Sequence, residues 1–105
     1  MVVHQPVTTA PVGKSLAITA EVTAPSGVKW VRLRYRSVNQ HQDYRTLPML
    51  PTGEKDQYRA VIPPENIAPT WDLMYYIEAM DNDRNGRMHP DLNKETPYIV
   101  VKLLR

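Results

Sequence analysis

The 105-residue sequence contains no cysteine and no phenylalanine. Without cysteine there is no disulfide framework, no thiolate nucleophile and none of the paired Cys sets that mark zinc fingers and ribbons. Long apolar runs are missing as well, since nowhere do the roughly eighteen consecutive apolar residues of a membrane-spanning helix occur. The opening stretch Met1-Val2-Val3-His4-Gln5-Pro6 lacks the basic segment followed by an apolar segment of a secretory signal. Charge of one sign is scarce too: thirteen Lys and Arg against eleven Asp and Glu leave a formal charge of +2. That is too little for the broad basic field of a nucleic-acid binder. Neither a nucleic-acid partner nor membrane insertion is expected.

What the chain does have is proline, ten residues of it, with four glycines and a 42% apolar fraction spread along the whole length. These breakers cut the sequence into short pieces that alternate with period two, as half-buried strands do. Leu16, Ile18, Ala20 and Val22 alternate with Ala17, Thr19, Glu21 and Thr23, and the turn Ala24-Pro25-Ser26-Gly27 closes the run. Val31, Leu33 and Tyr35 interleave with Trp30, Arg32, Arg34 and Arg36, which predicts a strand with one buried and one wet face. Tyr44 to Leu50 reads as a shorter strand that Pro48, lacking a ladder donor, assigns to an edge or a bulge. Tyr58, Ala60 and Ile62 alternate again before Pro63-Pro64, and a connection from Glu65 to Asp72 follows, in which Trp71 is expected to plug the end of the core. Leu73, Tyr75, Ile77 and Ala79 then line one side of a strand. The last strand, from about Tyr98 to Leu103, turns Ile99, Val101 and Leu103 inward, because the opposite phase would bury Lys102. With an extended segment around Val3 to Thr8, the reading is an all-β antiparallel sandwich of about seven strands in one domain over residues 1–105.

The phrases Val28-Lys29-Trp30-Val31-Arg32-Leu33-Arg34-Tyr35-Arg36, Tyr58-Arg59-Ala60-Val61-Ile62-Pro63 and Tyr75-Tyr76-Ile77-Glu78-Ala79-Met80-Asp81, with the late Pro97-Tyr98, resemble known modules. These are the fibronectin type III or immunoglobulin-like modules appended to large secreted bacterial enzymes, often glycoside hydrolases. The resemblance covers nearly the whole chain. It implies a non-catalytic accessory module cut from a longer extracytoplasmic protein that acts on carbohydrate, with no cofactor, whose work is spacing, orienting or packing against a catalytic domain. Its implied partner is a neighbouring domain of the same parent or another protein. It also implies that Tyr75 or Tyr76 forms a tyrosine corner, its hydroxyl bonded back to the preceding loop.

No set of residues assembles a catalytic site. Ser15, Ser26 and Ser37 lie outside any Gly-x-Ser-x-Gly elbow. His4, His41 and His89 fall in three separate segments and read as exposed loop histidines. The carboxylate pairs Asp81 with Asp83 and Glu54 with Asp56 have no evident cleft between them. The loop Asp81-Asn82-Asp83-Arg84-Asn85-Gly86 places oxygen ligands at alternate positions ahead of a glycine, as a calcium loop does, with Asp81, Asp83, Asn85 and Asp91 as ligands. Leu92 stands where the bidentate Glu of such a loop belongs, so the match covers only its first half, and a polar strand-to-strand connection is the plainer reading.

The outward phase of three strands carries Trp30, Arg32, Arg34, Arg36, Tyr76, Glu78, Tyr98 and Lys102, which the alternation gathers on one face. Aromatic planes beside guanidinium forks suit docking against a protein; the alternative is a small carbohydrate-binding module that stacks sugars on the same face. An ordinary solvated face, with arginine stems over the rings and Glu78 paired across strands, uses the same residues.

Overall fold

A computed structural model describes residues 2–38, 44–67, 72–89 and 98–104. Leu16–Val22 forms β3, and its alternation is reproduced residue for residue: Leu16, Ile18, Ala20 and Val22 are buried and Ala17, Glu21 and Thr19 are not. The other strands are β1 (Val2–Val3), β2 (Thr9–Pro11), β4 (Val28–Ser37), β5 (Arg45–Pro48), β6 (Leu50–Pro51), β7 (Gln57–Ile62), β8 (Leu73–Asp81), β9 (Gly86–His89) and β10 (Ile99–Leu104). One sheet has the order β1-β3-β7-β6 and the other β2-β10-β8-β4-β5, with β9 also on β8. All pairings are antiparallel except β2 with β10, which is parallel. The fold is therefore all-β, with two antiparallel-rich sheets whose inward faces meet in one hydrophobic cluster.

Ile18, Leu33, Tyr35, Ile62, Leu73, Tyr75, Ile77 and Val101 are the large side chains removed completely from water, and they come from both sheets. Each of the two buried tyrosines finds a partner for its hydroxyl, as burial requires. Tyr35 accepts from Asn66 Nδ2 at 2.9 Å, supplied by a 3₁₀ turn over Pro64–Asn66.

Ten strands stand among the described residues where about seven were expected, because two expected strands are each divided between the sheets. The N-terminal piece begins on β3 as β1, crosses, and ends on β10 as β2, so that residues 4–8 bridge the sheets where a strand was predicted. The piece from Tyr44 to Leu50 divides at Met49. Pro48 sits on β5 at the sheet edge opposite Arg32, Met49 turns into the core, and Leu50 joins the other sheet against Arg59. A missing N–H at Pro48 costs no ladder bond at an edge, which is why the chain can leave there. The tenth strand is β9, hidden in what reads as loop. It lies along the same side of β8 as β10, His89 opposite Ile77 and Ile99 opposite Tyr75. Met74 also departs from expectation: it has the outward phase yet is buried, flanked by Arg36 and Val100 on the neighbouring strands. Trp71 lies outside the described residues.

Candidate functional site

Register fixes the outward face of the six-stranded sheet. Across β4 and β8, Trp30 stands opposite Met80, Arg32 opposite Glu78, Arg34 opposite Tyr76 and Arg36 opposite Met74. Directly opposed side chains on one face lie within contact distance, so unlike charges meet. Arg32 Nε donates to Glu78 Oε1 at 3.0 Å and its Nη2 to Oε2 at 3.4 Å, while Arg34 Nη1 donates to the same Oε1 at 3.4 Å. The guanidinium carbon of Arg32 sits 4.4 Å from the Trp30 ring centre and that of Arg36 4.9 Å from the Tyr44 ring centre. Arg34 lies 6.0 Å from the Tyr76 ring, and Tyr44 meets Tyr76 edge to face at 5.0 Å. Burial raises the Tyr76 hydroxyl above the ordinary tyrosine pKa, and Arg34 beside it works the other way.

The contacts expected of an ordinary solvated face are thus present: rings under guanidinium groups and Glu78 paired across strands. Each such contact at a half-exposed site contributes about 0.5–1 kcal/mol, which is small for stability but enough to hold the side chains in one arrangement. Beside Trp30 the face dips into a depression of about 240 Å³ lined by Trp30, Arg32, Glu78, Met80, Gly86 and Met88. Tyr98 precedes β10 and is 36% exposed, and Lys102 points outward beyond it; among the described residues no ring contact joins Tyr98 to the Trp30–Tyr76 cluster. Tyr44, Met80 and Met88 were missed by sequence reading. Met80 follows from the alternation of β8, whereas Tyr44 and Met88 need registers that a single strand does not disclose.

A second constellation was not foreseen. His4 Nδ1 lies 2.7 Å from the Thr19 carbonyl, which only accepts, so Nδ1 carries the proton. The neutral ring's Nε2 then accepts from the Tyr75 hydroxyl at 2.6 Å, and that hydroxyl accepts from the Val7 N–H at 3.1 Å. The Tyr75 hydroxyl therefore bonds the N-terminal crossing segment and not the loop before its own strand, which corrects the tyrosine corner that the resemblance implied. Its position in mid-sheet, opposite Tyr35 and Ile99, aims it at that segment. The His89 ring approaches His4 edge-on at 5.8 Å, so two histidines read as separate and exposed converge, brought together by the unforeseen β9. Burial, opposed by the Thr19 bond and aided by His89, holds the His4 pKa below 6.5. Burial likewise raises Tyr75. His41 lies outside the described residues.

The acidic loop forms a tight hairpin. Arg84 N–H donates to the Asp81 carbonyl and Arg84 takes a left-handed φ of 67°, the conformation that closes a three-residue hairpin loop. The left-handed residue is Arg84, and neither Asn82, Asn85 nor Gly86 takes a positive φ. Asp81 Oδ1 accepts from the N–H groups of Asp83 and Asn85 at 2.9 and 2.8 Å, which with the Asn85 bond first keeps its pKa below the usual carboxylate value. Asp83 and Asn85 are exposed, and Asp91 lies outside the described residues. Among the described residues no group of three or more His, Asp or Glu gathers as metal ligands do. A wider groove of about 840 Å³ crosses the other sheet beside Val7, Thr19, Glu21 and Lys55, and its lining contains no aromatic plane.

No family model matches the chain, and no curated sequence matches it.

Proposed function

We propose that the chain is an immunoglobulin-like or fibronectin type III-like module, non-catalytic, that docks through the outer face of its six-stranded sheet onto a neighbouring domain of a larger extracytoplasmic protein. Strand order supports the fold class. In immunoglobulin-type sandwiches the first, second, fifth and fourth strands form one sheet and the seventh, sixth and third the other. With β1 and β2 as the first strand and β9 and β10 as the last, the order β1-β3-β7-β6 and the order β10-β8-β4 follow that scheme.

The observation that carries the docking reading is the Trp30–Arg32–Glu78 constellation. Trp and Arg dominate interface hot spots, and here both are already held in place by the ring contact and the ion pair. Preorganised side chains lose less entropy on binding, which leaves more of the contact energy as affinity. The depression beside Trp30 is smaller than the roughly 300–1,000 Å³ of ligand pockets and has room for a single protruding side chain. Methionines on its wall adapt to the shape of what enters.

Titration calorimetry of the separately expressed neighbouring domain against wild type and Trp30→Ala tests the reading. Truncating a true anchor costs on the order of 2 kcal/mol of binding or more, a surface ornament well under 1. Unchanged association together with lost retention on a polysaccharide gel would replace docking by the carbohydrate-binding alternative.

A further inference from the structure

We propose that the surface received by this face is acidic, presenting a carboxylate to Arg34 beside an apolar side chain that enters the Trp30 depression. The proposal rests on the docking reading and specifies its partner. By register Arg32 stands opposite Glu78 and Arg34 one pair further on, opposite Tyr76, so two guanidinium groups flank one carboxylate on the outward face. Glu78 is divided, its Oε1 receiving both Arg32 Nε and Arg34 Nη1, so one carboxylate serves two guanidinium groups. Arg34 Nε is buried and has no hydrogen-bond partner among the described residues.

A flat neutral partner would strip water from two guanidinium groups that share one negative charge, and an uncompensated buried charge is strongly unfavourable. A carboxylate from the partner removes that penalty, and a guanidinium donates to a carboxylate in a planar two-point geometry that lysine cannot offer. Complementary charge also sets which partner is accepted and how fast it arrives. The spacing is defined as well. Trp30 and Arg34 lie four residues apart on β4, about 13 Å at roughly 3.3 Å per residue. An extended partner strand matches this with its apolar and acidic side chains at positions i and i+4.

The probes are a short synthetic peptide with leucine and glutamate at i and i+4, the same peptide with lysine replacing glutamate, and polygalacturonate. Each is titrated into isotope-labelled protein while the Trp30 indole and arginine Nε–H resonances are followed. The glutamate peptide is expected to move the Trp30, Arg32 and Arg34 signals, and the effect should fade as ionic strength rises from about 50 to about 300 mM. Arg34→Gln, checked for an otherwise unchanged spectrum, should weaken binding about tenfold, and Arg34→Lys should restore only part of it. Equal binding of the lysine peptide at this face would overturn the acidic preference while leaving docking intact. Binding of polygalacturonate without the peptide, or no response at this face to any probe while the neighbouring domain still binds there, overturns the proposal.

Discussion

Replacing Tyr75 by phenylalanine removes one oxygen and leaves the ring packed, yet it unpairs two groups at once. The hydroxyl donates to His4 Nε2 and accepts from the Val7 N–H, and both groups are partly buried. Each polar group left unsatisfied costs about 1–3 kcal/mol, with the lower part of the range appropriate where water can approach, so the pair amounts to about 2 kcal/mol. For a domain of this size about 2 kcal/mol lowers the thermal midpoint by about 8–16 °C. The substitution should also change the pH dependence. A His4 pKa depressed in the folded state means that the unfolded chain binds the proton first. The stabilisation is complete above about pH 6.5 and is lost as pH falls below it, toward the folded value. Protonated His4 would turn a second donor toward Tyr75 and face His89. Urea unfolding followed by circular dichroism from about pH 8 to about pH 5 should show wild-type stability declining in this window with an unchanged m-value. Tyr75→Phe should start lower and decline less, because the loosened segment admits water to His4. Amide exchange at Val7 should rise in the variant. A variant melting within about 2 °C of wild type at both pH values, with Val7 equally protected, would refute the role given to the hydrogen bonds of the Tyr75 hydroxyl with His4 and Val7.

Gly27 has a φ of 91°, and a Cβ there would stand 2.8 Å from Asn82 Nδ2, whose bond to the Ser26 carbonyl ties the two loops. Gly27→Ala should therefore cost about 1–2 kcal/mol in chemical denaturation, and less than additively when combined with Asn82→Ala. Arg84→Gly relieves a left-handed arginine in the β8–β9 hairpin and should stabilise by about 0.5–1 kcal/mol, read in the same assay. Millimolar calcium should move the thermal midpoint by less than about 1 °C, since Asp81 Oδ1 already serves two backbone donors. A larger rise that disappears in Asp83→Ala would restore the metal reading.

The long strands were legible because their alternation spans a full buried face: β3, β4 and β8 bury the residues that period two selects, Met74 apart. Where the chain changes sheets the same rule gives no warning. Residues 4–8 and Met49 look locally extended, and only the competition of two sheet edges for one short segment decides that they cross. β9 was illegible for a related reason, since Gly86–His89 has no clean alternation and gains its strand from the edge of β8. The Trp30–Glu78 face could be written down from phase alone, because register across β4 and β8 follows from their cores. The His4–Tyr75–His89 group could not, as it joins three segments, with His4 and Tyr75 alone seventy-one residues apart.

The docking claim is tested most directly by hydroxyl-radical footprinting of the domain within its parent protein against the isolated domain. Trp30, Met80 and Met88 should be protected in the parent, while exposed Val61 on the opposite sheet and Leu50 at its edge keep their reactivity. Equal labelling of Trp30 and the two methionines in both forms would contradict the account.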